Sequence, residues 1–286
     1  MTKDDGLDFM NDEDLREYIA LIHKHTGITI NDSRKSMIQG RLRKRIIGLG
    51  LKGFHAYLFL LKENSLELGH FIDLITTNET YFFRTPRIWK FIESVFLPEW
   101  SEANKDKIFN AWSAASSSGE EAHSIAVTCA AFKKLKPSFT FQIFASDISS
   151  EMVTLGQKGI YSGRSIESFQ KTRPELFAQF MRPNGNESFV LDPEIRSKIR
   201  FDRHNLFLAN QHKSKFDLIL LRNVLIYFTP VDQETVLNKL SPALTPAGRL
   251  IIGESESLTY LQSDFIAVQP LIYRLKVASE KVGKVA

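Results

Sequence analysis

The sequence has little that would support a disulfide-linked, secreted or membrane-spanning protein. Its 286 residues include one cysteine, Cys129, so no disulfide can form within the chain, as is usual in a reducing compartment. The longest apolar run, near 56–61, is far shorter than the roughly 20 residues that a membrane-spanning helix needs. The N-terminal segment is acidic, whereas a secretory signal would be basic and then apolar. We therefore expect a cytoplasmic protein, long enough to bury a core without disulfide or metal support.

The charge is nearly balanced over the whole chain but uneven along it. Thirty-seven Lys and Arg against 33 Asp and Glu give a net charge of +4. Residues 28–62 contain eight Lys or Arg and one acid, Asp32, so this window carries +7 and the remainder −3. The basic excess therefore lies in one segment, which indicates an acidic partner: nucleic acid, a membrane or a protein.

Residues 1–88 have the pattern of a helical domain. Apolar residues recur at helical spacing between a predicted N-cap at Asn11 and a predicted stop at Gly27. Three more helices are predicted, one starting near residue 32 and two over residues 54–62 and 66–75.

Residues 89–286 alternate between strand and helix patterns. Strands are predicted over 107–115, 139–148, 216–221 and 249–253, and helices over 120–135, 149–157 and 231–244. Such alternation predicts an α/β fold with a mostly parallel, doubly wound sheet. Residues 161–203 break the alternation with three prolines and short extended pieces, and we interpret them as a small β-rich insertion.

Small and polar residues follow the predicted strands, where open α/β sheets bind ligands. The first strand leads into the serine-rich turn of residues 112–121, the second ends at Asp147, and the strand at 216–221 leads into Arg222 and Asn223. A capped turn or a helix cap would explain the first two equally well. Asp147, however, lies at about the spacing at which an acid contacts ribose hydroxyls, which favours nucleoside binding.

Six segments, taken together and in order, resemble the CheR-type chemotaxis-receptor methyltransferases. They are TTNETYFFR (76–84), WSAASSSGEEAHSIA (112–126), FASDIS (144–149), residues 159–161, residues 205–206 and FDLILLRNVLIYF (216–228). The resemblance spans residues 12–275. It implies an S-adenosylmethionine-dependent enzyme that esterifies glutamate side chains of chemoreceptors. The implied fold is a helical N-terminal domain joined to a Rossmann-like methyltransferase domain with a small inserted β-subdomain.

The resemblance also implies roles for individual residues. Arg84 and Tyr227 would lie at the methyl-transfer site, and Asp147 would hold the ribose hydroxyls of the cofactor. Further contacts with S-adenosylmethionine, or with the product S-adenosylhomocysteine, would come from Asn78, Thr80, Arg84, Ala114, Glu121, Asn205, Leu206, Arg222 and Asn223. No metal is expected. His123 stands where many relatives differ, and we expect it to pack within its helix without a catalytic role.

The basic window gains an interpretation from the same resemblance, because the cytoplasmic helical bundles of transmembrane chemoreceptors are rich in acidic residues. Arg34, Arg41, Lys44 and Arg45 would dock on such a bundle, with neither nucleic acid nor direct membrane insertion involved. A solvated helix face is the structural alternative.

Two alternative functions stay open at this point. One is methyl transfer to RNA, which the basic window would fit although no common RNA-binding signature is present. The other is a cofactor-binding regulator without activity. Residues 181–190 depart from the pattern of family members that bind a receptor tether, so we expect no tether binding.

Overall fold

Four α-helices form the N-terminal part of the protein in a computed structural model that describes residues 7, 9–208, 214–277 and 280. They are α1 (Asp12–Thr26), α2 (Lys35–Gly48), α3 (Phe54–Glu63) and α4 (Ser65–Ile75). As predicted, α1 begins after Asn11, whose side chain accepts a hydrogen bond from the Asp14 amide at 2.7 Å. It ends at Gly27, which has a left-handed φ of 73° and lies so close to the Phe207 ring that a Cβ would clash.

These helices enclose a hydrophobic core of their own. Tyr18, Ile38, Leu42 and Phe71 are fully buried within it. The Tyr18 hydroxyl donates a hydrogen bond of 2.7 Å to the carbonyl of Phe54, which ties α1 to the start of α3. The helical part therefore has a hydrophobic core that does not depend on contacts with the sheet.

The described residues contain ten strands, which form two sheets. In chain order they are β1 (Ile108–Ser113), β2 (Thr140–Asp147), β3 (Ile160–Tyr161), β4 (Met181–Pro183), β5 (Phe189–Leu191), β6 (Ile199–Arg203), β7 (Phe216–Leu221), β8 (Leu244–Ile252), β9 (Phe265–Gln269) and β10 (Ile272–Leu275). Seven of them lie in the order β6-β2-β1-β7-β8-β10-β9. The first five in that order run parallel, and β10 and β9 extend the sheet antiparallel.

Eight further α-helices follow α4 among the described residues. They are α5 (Pro86–Phe91), α6 (Leu97–Ala103), α7 (Glu120–Leu135), α8 (Ser150–Lys158), α9 (Arg164–Thr172), α10 (Pro174–Phe180), α11 (Pro193–Arg196) and α12 (Pro230–Leu240). From β1 the chain continues to β2 and β6 on one side, and then returns to β7 and β8 on the other. Since parallel crossovers are right-handed, this reversal puts helices on both faces and opens a cleft at the carboxyl ends of β1 and β7.

The structure confirms the predicted α/β fold class, with α7 and β7 at their predicted residues. Two other stretches of the chain differ from the sequence interpretation. Residues 86–103 form α5, a π-helical turn and α6, which had not been predicted. The stretch 161–203 holds the small sheet β3-β5-β4, but α9, α10 and α11 as well. Its last five residues are β6, which pairs with β2 in the large sheet and buries Phe201 on one face.

The helical and α/β parts contact each other directly. The Thr29 amide donates to the Tyr227 carbonyl at 2.8 Å, and the Asn205 side chain donates to the His25 carbonyl at 2.9 Å. These bonds close one side of the cleft with residues from the helical part. In the part of the chain that the structure describes, no helix combines the length and apolar character needed to cross a membrane.

Candidate active site

A cavity of about 560 Å³ lies between the helical part and the carboxyl ends of β1, β2 and β7. This volume is in the range of small-molecule sites. Its lining includes the predicted catalytic and cofactor-contacting residues, namely Asn78, Thr80, Arg84, Ala114, Glu121, Asp147, Asn205, Leu206, Arg222, Asn223 and Tyr227. The fold therefore brings residues from five separate segments of the sequence to one place.

Asp147 ends β2 as a buried carboxylate with capacity for further hydrogen bonds. One oxygen accepts from the Ser117 amide at 2.8 Å and the other from the Ser149 amide at 3.0 Å. Burial raises the pKa of Asp147, and these backbone N–H groups act against that rise because they favour the charged form. Each oxygen keeps a lone pair, so the group can accept hydrogen bonds from two neighbouring hydroxyls.

Glu121 and Arg222 form a buried ion pair on the cavity wall. Arg222 Nη1 donates to Glu121 Oε2 at 2.9 Å, while the other carboxylate oxygen accepts from Ser113 at 2.7 Å. Arg222 Nη2 donates to the Arg84 carbonyl and to the Thr85 hydroxyl, both at 2.9 Å. The pair thus links β1, α7 and β7 to the segment that carries Arg84, a connection beyond the cofactor contacts predicted for both residues.

Arg84 lies in a strained segment with a guanidinium that is available to a ligand. Its two neighbours, Phe83 and Thr85, have φ values of 53° and 66°, which are unfavourable for residues with side chains. The Arg84 guanidinium lies 5.4 Å from the Tyr81 ring centroid. Within the described ranges it has no hydrogen bond or ion pair, which suits a group that binds an anion.

Glu256 is a buried carboxylate near the cavity that the sequence analysis missed. It accepts hydrogen bonds from the amides of Asn223, Val224, Leu225 and Gly253. Burial raises the pKa of Glu256, and these amide bonds act against that rise. Gly253 is required here, because a Cβ would come within 2.8 Å of the Asn223 amide. The carboxylate therefore fixes the turn that places Asn223 and Tyr227 at the cavity.

Asn205 contributes to the cavity wall mainly as a structural link. Its Oδ1 accepts from the Phe207 amide at 2.9 Å, and its Nδ2 is occupied by the His25 carbonyl. Leu206 beside it is largely buried and lines the cavity with its apolar side chain. The segment 28–31 also lines the cavity. The sequence analysis missed it because only its packing against the loop after β7 brings it there.

The four basic residues predicted to dock a partner have different environments. Arg41 donates to the carbonyls of Ile75 and Thr76 and so caps the end of α4. Arg45 forms a bidentate pair with Glu67 at 2.6 and 2.9 Å. Both guanidinium groups are therefore held by internal bonds, which sequence spacing alone does not reveal.

Arg34 and Lys44 are exposed, and Arg34 also lines the cavity. Of the four residues predicted to dock a partner, these two are therefore the exposed ones.

His123 belongs to α7, and its side chain is fully buried in the core. This burial fits the packing role expected for it. Its Nδ1 is 2.8 Å from the Gly119 carbonyl and 2.7 Å from the Tyr161 hydroxyl. Burial lowers the pKa of His123 to about 4, so the ring is neutral at physiological pH. It is absent from the cavity lining.

Comparisons with known proteins agree along nearly the whole chain. A family model described as CheR methyltransferase, all-alpha domain, matches residues 13–76, and one described as CheR methyltransferase, SAM binding domain, matches residues 78–273. The chain is 34% identical over 274 residues to the chemotaxis protein methyltransferase of Salmonella typhimurium, covering 93% of this chain and 91% of the relative. It is 34% identical over 272 residues to that of Escherichia coli, with 93% and 92% covered. Against the Vibrio parahaemolyticus protein of the same description it is 32% identical over 275 residues, with 93% and 98% covered.

Proposed function

Since the chain belongs to the CheR methyltransferase family, whose members are S-adenosylmethionine-dependent enzymes of chemotaxis, we propose that it methylates glutamate side chains of chemoreceptors. The product would be a glutamyl methyl ester on the cytoplasmic helical bundle of the receptor, and we expect the enzyme to act in the cytoplasm. The observation that carries the proposal is a single cavity that combines a carboxylate suited to ribose with an unpaired guanidinium and a tyrosine.

The residues of the cavity fit S-adenosylmethionine. Asp147 has lone pairs for the ribose hydroxyls, and Leu206 supplies an apolar wall for the adenine. The buried Nε of Arg222 has no hydrogen-bond partner among the described residues, which is uncommon for a buried polar atom. When bound, the cofactor supplies a methyl group attached to a cationic sulfur.

The acceptor needs no general base. An unperturbed glutamate has a pKa of about 4.3 and is already ionised at neutral pH. We propose that Arg84 and Tyr227 orient the acceptor carboxylate and exclude water around it, because alignment and desolvation are the contributions that this reaction requires of the protein. No cavity-lining histidine-acid pair is needed for this task.

The acceptor chemistry gives the direct test of the proposal. With labelled S-adenosylmethionine and membranes that contain the organism's receptors, we expect label in the receptor fraction that is released as methanol in base, because carboxyl esters hydrolyse there. Receptor in which the labelled glutamates are replaced by glutamine is the control and should stay unlabelled. Base-stable label in RNA would instead identify the alternative substrate, and cofactor binding without transfer would identify a regulator.

Docking through exposed basic residues predicts a dependence on salt and on Lys44. Exposed charge pairs are screened over about 10 Å at 0.1 M salt. We expect Lys44→Glu to raise KM for the receptor about 3- to 10-fold at low salt and to leave cofactor affinity unchanged, because Lys44 lies outside the cavity lining. Raising the salt should erode the difference between variant and wild type.

Lys105→Glu is the matched control for Lys44→Glu. Lys105 is an exposed lysine in the turn before β1. It therefore lies at the amino end of this strand, whereas the cavity lies at the carboxyl end. If Lys105→Glu raised KM equally, or if salt weakened cofactor and receptor binding alike, docking through Lys44 would be wrong.

A further inference from the structure

The segment that carries Arg84 needs support from outside itself. Positive φ angles at residues with side chains cost about 1–3 kcal/mol each and persist only where surrounding contacts enforce them. Phe83 and Thr85 both have such angles, one on each side of Arg84. Any contact that holds these neighbours therefore determines where the guanidinium points.

Part of this support comes from the α/β core. The Phe83 amide donates to the Ser124 hydroxyl of α7 at 3.0 Å. The Arg84 carbonyl accepts from Trp89 Nε1 at 2.9 Å as well as from Arg222. These bonds fix the backbone, and the Trp89 ring also meets the Phe83 ring edge-on at 5.2 Å.

The inserted segment packs against the rings of both Phe82 and Phe83. Phe169 of α9 stacks on Phe82 at a centroid distance of 4.9 Å and an angle of 25°, and its centroid lies 5.0 Å from that of Phe83. Tyr161 of β3 meets the Phe82 ring edge-on at 4.9 Å. The insertion thus forms the surface on which the segment before Arg84 rests.

Arg173, at the junction of α9 and α10, adds a charged contact to the same surface. Its guanidinium carbon lies 5.0 Å from the centroid of the Phe83 ring. Its Nη1 donates to both carboxylate oxygens of Glu93, at 2.8 and 3.0 Å. Glu93 belongs to the π-helical turn after α5, so Arg173 is held between that turn and Phe83. Both side chains are about a quarter exposed, so replacing Arg173 leaves no fully buried charge.

We propose that the inserted segment is a positioning element of the methyl-transfer site and that Arg173 is a positioning residue for Arg84. The guanidinium of Arg173 packs on the Phe83 ring. This contact keeps the strained backbone in the conformation that directs Arg84 into the cavity. The inference rests on the role proposed above for Arg84. It assigns the insertion a part in turnover itself, distinct from any part in receptor binding.

Arg173→Met is the test, because methionine keeps an apolar stem of similar length and removes the cation. At saturating receptor and cofactor we expect kcat to fall about 5- to 10-fold, the loss that one cation–π contact can cause. The Kd for S-adenosylhomocysteine, measured by calorimetry, should change less than about twofold, since Arg173 is outside the cavity lining. Arg173→Lys keeps a charge opposite Glu93 and should lose about half as much on a logarithmic scale.

Arg182→Met is the matched control, since Arg182 lies in the same insertion and pairs with Asp192 at 2.9 Å. Its kcat should equal that of wild type. Wild-type kcat in Arg173→Met, or an equal fall in Arg182→Met, would overturn the inference. If Arg173→Met does not fold, Arg173→Lys decides: an unchanged kcat overturns the inference, and a lower kcat with unchanged product affinity supports it. Absence of transfer by the wild-type enzyme would instead contradict the proposed function.

Discussion

Replacing Arg84 with alanine should reduce kcat at least about 100-fold while the melting temperature changes little. Misplacement of a reacting group by about 1 Å can cost about 100-fold in rate, and alignment of the acceptor carboxylate is the contribution proposed for Arg84. The guanidinium of Arg84 has no ion pair or hydrogen bond in the described structure, and it lies over the Tyr81 ring. Little folding energy therefore depends on it, and the loss should be catalytic.

Two further variants make the Arg84 prediction specific. Arg87→Ala removes an arginine three residues away, on α5, whose pair with Glu254 is long at 3.4 Å and more than half exposed on both sides. It should keep wild-type turnover, since exposed pairs contribute little. Arg84→Lys keeps the charge without the planar fork and should recover only part of the activity. If Arg84→Ala turned over receptor substrate at nearly the wild-type rate, the catalytic role proposed for Arg84 would be wrong.

Arg222→Met should lower the free energy of unfolding by about 3–5 kcal/mol, because it leaves the Glu121 carboxylate buried without its partner. The side chains of the pair are 2% and 10% exposed, and Arg222 also supports Thr85 and the Arg84 carbonyl. Against a total stability of about 5–15 kcal/mol for an ordinary domain, this is a large loss. Urea unfolding followed by circular dichroism would measure it.

The same measurement on two other variants separates the buried pair from a general effect of removing arginine. Arg200→Met disrupts the Arg200–Asp202 pair, whose side chains are 73% and 49% exposed, and it should change stability little. The double variant Glu121→Met and Arg222→Met removes both charges and should recover much of the loss. An equal effect of Arg222→Met and Arg200→Met would mean that the pair does not carry the stability assigned to it.

Local patterns predicted much of the architecture correctly because they depend on neighbours in the chain. The boundaries of α1 follow from the side chain of Asn11 and the left-handed backbone of Gly27, both of which act within a few residues. The near-continuous apolar run of β7 identifies a strand buried on both faces. The polar residues that follow β2 and β7 meet in one cavity because parallel strands end at the same edge of the sheet.

The patterns failed where a residue's partner lies far along the chain. The sequence assigned residues 199–203 to the insertion, but their pairing with β2 makes them the edge of the large sheet. Arg41 and Arg45 have the spacing of a docking face, yet the end of α4 and Glu67 occupy their guanidinium groups. Nothing near Glu256 in the sequence indicates that three amides of residues 223–225 bind it.

The sequence by itself determined the two-part organisation, the α/β class and eleven of the residues that line the cavity. Helical periodicity, strand alternation and the order of short motifs are local properties of the chain. They can therefore be recognised without knowing any tertiary contact. Only the tertiary structure decided which charged groups are free to act. Arg84 is unpaired whereas Arg222, Arg41 and Arg45 are committed to internal partners, and the inserted segment supports the backbone around Arg84. The reason is that hydrogen bonds and ion pairs form between side chains that folding brings together, and sequence spacing does not encode those distances.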